Sequence, residues 1–186
     1  DGTASDFSRY TRDGIAEDKN NPLDLAYSDI FPESKIKKGN SSFQKWALEG
    51  EHFNYLGAGV GGSITSKGAT ILMIDDPIKG AIEALNENHL DSIWTWYTST
   101  FLSRVSAEEG EPLEIICMTR WSKKDICGRL LNNPQFSDEW YVLKFEAYEK
   151  ETDSMLCPDF LRRKRYDMLK SCMEESVVAA NYHQEG

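Results

Sequence analysis

The stretch Ile71-Leu72-Met73-Ile74-Asp75-Asp76-Pro77, ILMIDDP in one-letter code, decides how this chain is read. Four apolar residues with strand character run into two adjacent aspartates, and a proline then interrupts backbone pairing. That order predicts a buried strand whose carboxyl end carries two carboxylates to the rim of a sheet. Ligands of open parallel sheets sit at that rim. Neighbouring carboxylates repel unless a cation, a proton or water separates their duties. A divalent cation is the simplest resolution; the plain alternative is that both aspartates only solvate a turn.

Working downstream, Ile82, Leu85, His89, Ile93, Trp96, Tyr97, Phe101 and Leu102 recur mostly at helical spacing, predicting one helix from about Ala81 to Val105. The segment EGEP (109–112) breaks it, and LEIICMTRW (113–121) reads as a second apolar strand that ends on Thr119 and Arg120. Ser122, with Asp125 three residues later, forms a capping-box pattern opening a helix with Ile126, Leu130 and Leu131. WYVLKFEAY (140–148) reads as a third strand, and Pro158 as the start of a last helix reaching about residue 180. Strands alternating with helices predict an α/β fold, a mostly parallel sheet flanked by helices in one domain.

Working upstream, residues 6–18 read as a short amphipathic helix with Phe7, Tyr10 and Ile15 on its apolar side. Ile30 and Phe31 are expected to be buried ahead of Pro32, and residues 43–56 to form two antiparallel strands around Gly50, a hairpin added to the sheet. The cluster GAGVGGS (57–63) lacks the Gly-Lys-Ser/Thr ending of a phosphate loop and precedes a strand rather than a helix, so tight turns are the expectation.

Composition sets the bounds. The 186 residues, 40% apolar and 11% aromatic, suffice for one ordinary domain with a substantial core. No apolar run approaches the roughly 18 residues that span a bilayer, and no signal-peptide pattern opens the chain, so no membrane is expected. A net charge of −10 argues against a surface that largely wraps nucleic acid. Arg162, Arg163, Lys164 and Arg165 are the local exception, but four successive helical residues point all round an axis and read as solvated charge. Cys117, Cys127, Cys157 and Cys172 show no CxxC pair and no histidine at ligand spacing, so reduced, partly buried thiols are expected. His52, His89 and His183 are scattered and receive no role.

Several joined stretches give the chain a resemblance. GVGGSITSKGATILMIDDPIKG (59–80), WTWYTSTFLSRV (94–105) and IICMTRWSKKDICGRLL (115–131) resemble, in order and spacing, the ATPase domain of tailed-bacteriophage terminase large subunits. The upstream FSRYTRDGI, IFP and WALEGEHFNYLGAGVGGSIT look like the same family, as do LCPDFL and VVAANYHQEG near the end. The resemblance covers nearly the whole chain. It implies a partial RecA-like P-loop NTPase domain over 1–175, with 176–186 beginning the linker to a nuclease domain.

The family packages double-stranded DNA into procapsids, working as a homo-oligomeric ring with the portal protein and the small terminase subunit. By resemblance the setting is the cytoplasm of an infected or lysogenic bacterial host. Asp75 becomes the Walker B carboxylate holding Mg2+ for ATP, and Asp76 the catalytic acid, one methylene shorter than the usual Glu. Thr119 and Arg120 match the coupling motif that senses the γ-phosphate. Arg104 corresponds to a phosphate sensor or a finger donated between subunits. One departure stands out: no Gly-x-x-x-x-Gly-Lys-Ser/Thr occurs, and in the family it precedes the segment resembling Phe7–Ile15. The chain therefore reads as a fragment, natural or trimmed, expected to bind ATP weakly if at all without that amide cradle and lysine. Two alternatives remain open: a metal-dependent nuclease using Asp75 and Asp76, with Glu146 as a further acid, or a prophage interaction module without turnover.

Overall fold

The computed structural model describes residues 2–16, 26–52, 54–64, 68–106 and 112–186. Two compact units divide the chain, Asp1–Thr65 and Ser66–Gly186.

In the first unit, helix α1 (Gly2–Ala16) and the single turn α2 (Tyr27–Ile30) accompany an antiparallel sheet of β1 (Ile36–Ser41), β2 (Lys45–Leu48) and β3 (Tyr55–Leu56), in that spatial order. Trp46 organises it. Its ring is buried, stacks on Tyr55 at 5.2 Å between centroids, and donates its Nε1–H to the buried Ser8 Oγ of α1 at 3.2 Å. The turn expected at Gly50 is present, with φ +90°. Strand β1 carried no clear sequence signal: Gly39 interrupts it at φ +79°, and the register shifts between Ile36 and Ser41. Ile30 and Phe31 are exposed, against expectation. Phe31 follows a one-turn helix and meets the Tyr27 ring at 4.9 Å between centroids. The glycine cluster makes the tight turn foreseen: Gly62 N–H donates to Gly59 O at 2.8 Å, and a Cβ on Gly62 would meet that same oxygen at 2.8 Å.

The second unit is built on β4 (Ile71–Asp75) and β5 (Leu113–Cys117), paired in parallel with Ile71 opposite Leu113 and Asp75 opposite Cys117. Leu72 and Ile74 are buried on one face with Ile78, Leu90, Ile93, Tyr97, Phe101, Ile126 and Leu130 completing a core. The crossover is not one helix. Helix α3 (Ala81–Ala84) ends at Leu85, and Asn86 caps α4 (Glu87–Trp96), its side chain accepting from His89 N–H. Beyond Trp96 the coil widens to a π-turn over Tyr97–Phe101 and tightens to 3-10 over Leu102–Arg104. Hydroxyls cause this loosening: Thr98 and Ser99 bond back to the carbonyls of Trp94 and Thr95, competing with the helix ladder.

The sheet is smaller than the sequence suggested. Residues 141–147 are largely exposed and belong to no strand among the described residues, and only β6 (Tyr148–Glu149) joins β7 (Ser154–Met155), antiparallel. A β-prone sequence needs a neighbouring edge before it becomes a strand. Among the described residues β4–β5 is the one parallel pair, so the architecture is mixed α/β rather than a mostly parallel sheet. The last predicted helix is likewise two, α6 (Arg163–Cys172) and α7 (Glu175–His183), with α5 (Ile126–Leu131) before them. The four cysteines are free, and only Cys127 is partly buried. No described helix is long and apolar enough to cross a membrane.

Candidate functional site at the strand ends

Parallel pairing of β4 and β5 brings two polar pairs to one rim. Asp75 lies opposite Cys117, and Asp76 N–H continues the ladder by donating to Cys117 O at 2.8 Å. Thr119 and Arg120 follow two and three residues past Cys117, so they leave the sheet at the same end. The register thus unites the Asp75–Asp76 and Thr119–Arg120 pairs proposed from sequence.

Asp76 adopts φ +42°, a left-handed conformation uncommon outside glycine. The buried Ile78, two residues on, anchors the chain beyond this kink. Asp75 and Asp76 are both exposed, and neither carboxylate has a hydrogen-bond or ion-pair partner among the described residues. Two free carboxylates at a strand end, one on strained backbone, make an open set of hard oxygen donors. Mg2+ is commonly held by one or two carboxylates plus substrate phosphates, so this pair fits its chemistry. The described residues contain no group of three His, Cys, Asp or Glu able to enclose a metal alone.

Arg120 is committed elsewhere. Its Nε–H is shared between both oxygens of Asp125 at 3.2 Å, and its backbone N–H donates to Gln184 Oε1 at 3.2 Å. Asp125 is buried, and its Oδ1 accepts from Gly128 N–H at 2.7 Å while Oδ2 accepts from Ser122 N–H at 3.1 Å. Asp125, not Ser122, is therefore the N-cap of α5. The reach of the acid back to the residue-122 amide is the half of the capping box that survives. Asp125 thus caps the helix and holds the strand-end arginine together.

No protein-family model matches this chain, and no curated protein matches it.

Arg104 lies at the other end of the strand. Its carbonyl accepts from Ala69 N–H at 2.9 Å, and its guanidinium donates to Ser103 Oγ. Ala69 precedes Asp75 by six residues, roughly 20 Å of strand. Arg104 therefore does not meet the two aspartates within one chain.

Under the sheet, the Tyr97 hydroxyl interacts with Glu114 of β5; burial, then this contact, push the phenol far above its ordinary range. Burial also raises Glu114, whose Oε1 has no hydrogen-bond partner among the described residues. Cys127 is pushed up to about 11, by burial first and the Asp125 charge next, which leaves it a neutral thiol rather than a nucleophile. Glu146 is engaged at both oxygens, with Lys144 Nζ at 2.8 Å and His183 Nδ1 at 3.3 Å.

Sequence reading missed Gln184 at this site. It is 64 residues from Arg120, and a lone glutamine after a helix gives no motif to find.

Proposed function

We propose that this chain is part of the ATP-hydrolysing motor subunit of a phage terminase, acting on double-stranded DNA with portal and small-subunit partners. One observation carries the reading: two unpartnered carboxylates at the carboxyl end of a parallel strand, beside a Thr-Arg pair from the adjacent strand. Asp75 would hold Mg2+, which would supply charge neutralisation at the triphosphate. Asp76, re-aimed by its left-handed backbone, would accept a proton from or orient the attacking water. Thr119 follows β5 at the same end of the sheet, where its hydroxyl would report on the terminal phosphate. Arg104, at the far end of β4, would serve a neighbouring subunit of a ring rather than its own site.

The bare side of the parallel pair fits this reading. Parallel sheets are ordinarily covered on both faces, so the exposure of Ile71, Met73, Leu113 and Ile115 on one side of β4 and β5 suits a piece of a larger sheet. The charge pattern also allows DNA as partner despite the net −10: residues 35–48 carry four lysines and no acid. The nuclease alternative would enlist Glu146, whose engagement with Lys144 and His183 argues for the ATPase instead.

The test is ATP turnover by the full-length gene product. Asp75→Ala and Asp76→Ala are each expected to abolish it nearly completely. Normal turnover in Asp76→Ala would remove that residue from the water-activating role. Metal-dependent plasmid cleavage lost in both variants would favour the nuclease.

A further inference from the structure

Helix α7 ends in a way that its own stability does not explain. Gln184 occupies the left-handed cap position at φ 55°, ψ 39°, where glycine or asparagine is the comfortable residue. Its neighbours are tied down on both sides. Tyr182 O accepts from Ala147 N–H at 2.7 Å. His183, buried, meets Tyr166 Oη through Nε2 at 2.8 Å and Glu146 through Nδ1 at 3.3 Å. Gly186 lies so close to the loop after β5 that a Cβ there would stand 2.5 Å from Ser122 N. Residues 182–186 thus grip the end of the 141–147 segment and the loop that leaves β5.

Within that grip, the Gln184 side chain does one thing a glycine cannot: its Oε1 accepts the backbone N–H of Arg120 at 3.2 Å. We propose that Gln184 is the positioning residue of the Met118–Ser122 loop, setting where Thr119 and Arg120 stand relative to Asp75 and Asp76. The left-handed backbone aims this side chain at the loop, and Asp125 anchors the loop as well, through the Arg120 guanidinium and Ser122 N–H. Displacement of residues 184–186 would be felt first at Arg120. The catalytic consequence rests on the ATPase reading above; the positioning itself does not.

The experiment uses three substitutions and two readouts. Gln184→Gly and Gln184→Asn suit the left-handed cap but lack the reach, so α7 keeps its end while the loop loses its acceptor. Gln184→Glu keeps an acceptor at the same length. Residue-resolved hydrogen exchange on this chain is expected to show the Arg120 amide opening about tenfold faster in the Gly and Asn variants, with protection restored in Gln184→Glu. The denaturation midpoint of the Gly variant is expected to be no lower than wild type, which a purely structural cap would also give; the Arg120 amide separates the two. In the full-length gene product, Gln184→Gly is expected to lower kcat for ATP several-fold with KM changed less than twofold. Unchanged Arg120 protection in both the Gly and Asn variants overturns the proposal, as does equal loss in Gln184→Glu. Lost protection together with a wild type that hydrolyses no ATP upholds the positioning role and sinks the ATPase reading.

Discussion

A carboxylate's surroundings decide its duty, and this chain sets three kinds side by side. Asp75 and Asp76 are exposed and unpartnered, Asp125 is buried and fully used as a cap, and Glu114 is half-buried with one oxygen unsatisfied. The aspartate pair was legible because IDDP interrupts an apolar run; the left-handed turn at Asp76 was not, since asparagine or glycine would have been its usual signal. Glu114 was invisible, because an acid in an apolar strand reads equally well as a solvent-facing position. Its elevated pKa has a definite consequence for stability. A folded-state value above the ordinary 4.5 means that the fold favours the neutral form. That contribution is complete below about pH 4.5 and is lost as pH rises through the folded value. Glu146 acts in the opposite sense: Lys144 first, then His183, lower it, so its contribution is present above about pH 4.5 and lost as pH falls. Glu114→Gln is therefore expected to shrink the fall in Tm between pH 5 and 8 while leaving the acid-side loss in place. Thermal melts across that range measure it, and an unchanged slope would mean that Glu114 ionises in the fold as freely as in the unfolded chain.

Helices were legible by position and less so by their ends. Apolar periodicity located the crossover between the two strands, but Asn86 and the hydroxyls of Thr98 and Ser99 divide it into pieces that periodicity cannot register. The start of α5 shows the same limit. Ser122 and Asp125 both suit an N-cap, and only packing chose the acid, because Asp125 can also take the Arg120 guanidinium. This choice brings the 122–125 turn hard against the helix it opens. A Cβ on Gly128 would stand 2.4 Å from Lys123 O and 2.6 Å from Lys123 C, both backbone atoms. Helix propensity alone predicts that Gly128→Ala stabilises α5 by about 1 kcal/mol. Here the clash should dominate. The substitution is expected to destabilise the chain by about 2 kcal/mol or more, as read from the denaturant midpoint. A stabilised variant would show that the turn can retreat from the helix without loss.

Strand pairing is where sequence and whole molecule part company most. That β4 and β5 are parallel followed from the helical crossover between them, since such a connection joins parallel neighbours. That residues 141–147 would stay unpaired did not follow, because strand character in WYVLKFEAY says nothing about whether an edge lies beside it. The same shortage of neighbours leaves one side of the parallel pair bare: Ile71 is 61% and Leu113 53% exposed, with the Met73–Ile115 pair next along the same face. Leu72 and Ile74, one residue away in the pleat, are buried at 4% each. This alternation makes a sharp comparison possible within a single strand. A lysine at a buried position strands a charge in the core and is expected to cost several kcal/mol, enough to unfold a domain of ordinary stability. On the bare face the ammonium stays in water, and surface changes of that kind fall within about 0.5 kcal/mol. Met73→Lys should therefore leave the denaturation midpoint almost where it is, whereas Ile74→Lys should abolish the cooperative transition. Equal damage from the two would mean that the Ile71–Met73–Leu113–Ile115 face is covered in solution, by a second copy or by flanking sequence. The Ile74→Lys result alone would then no longer distinguish a core position from an interface.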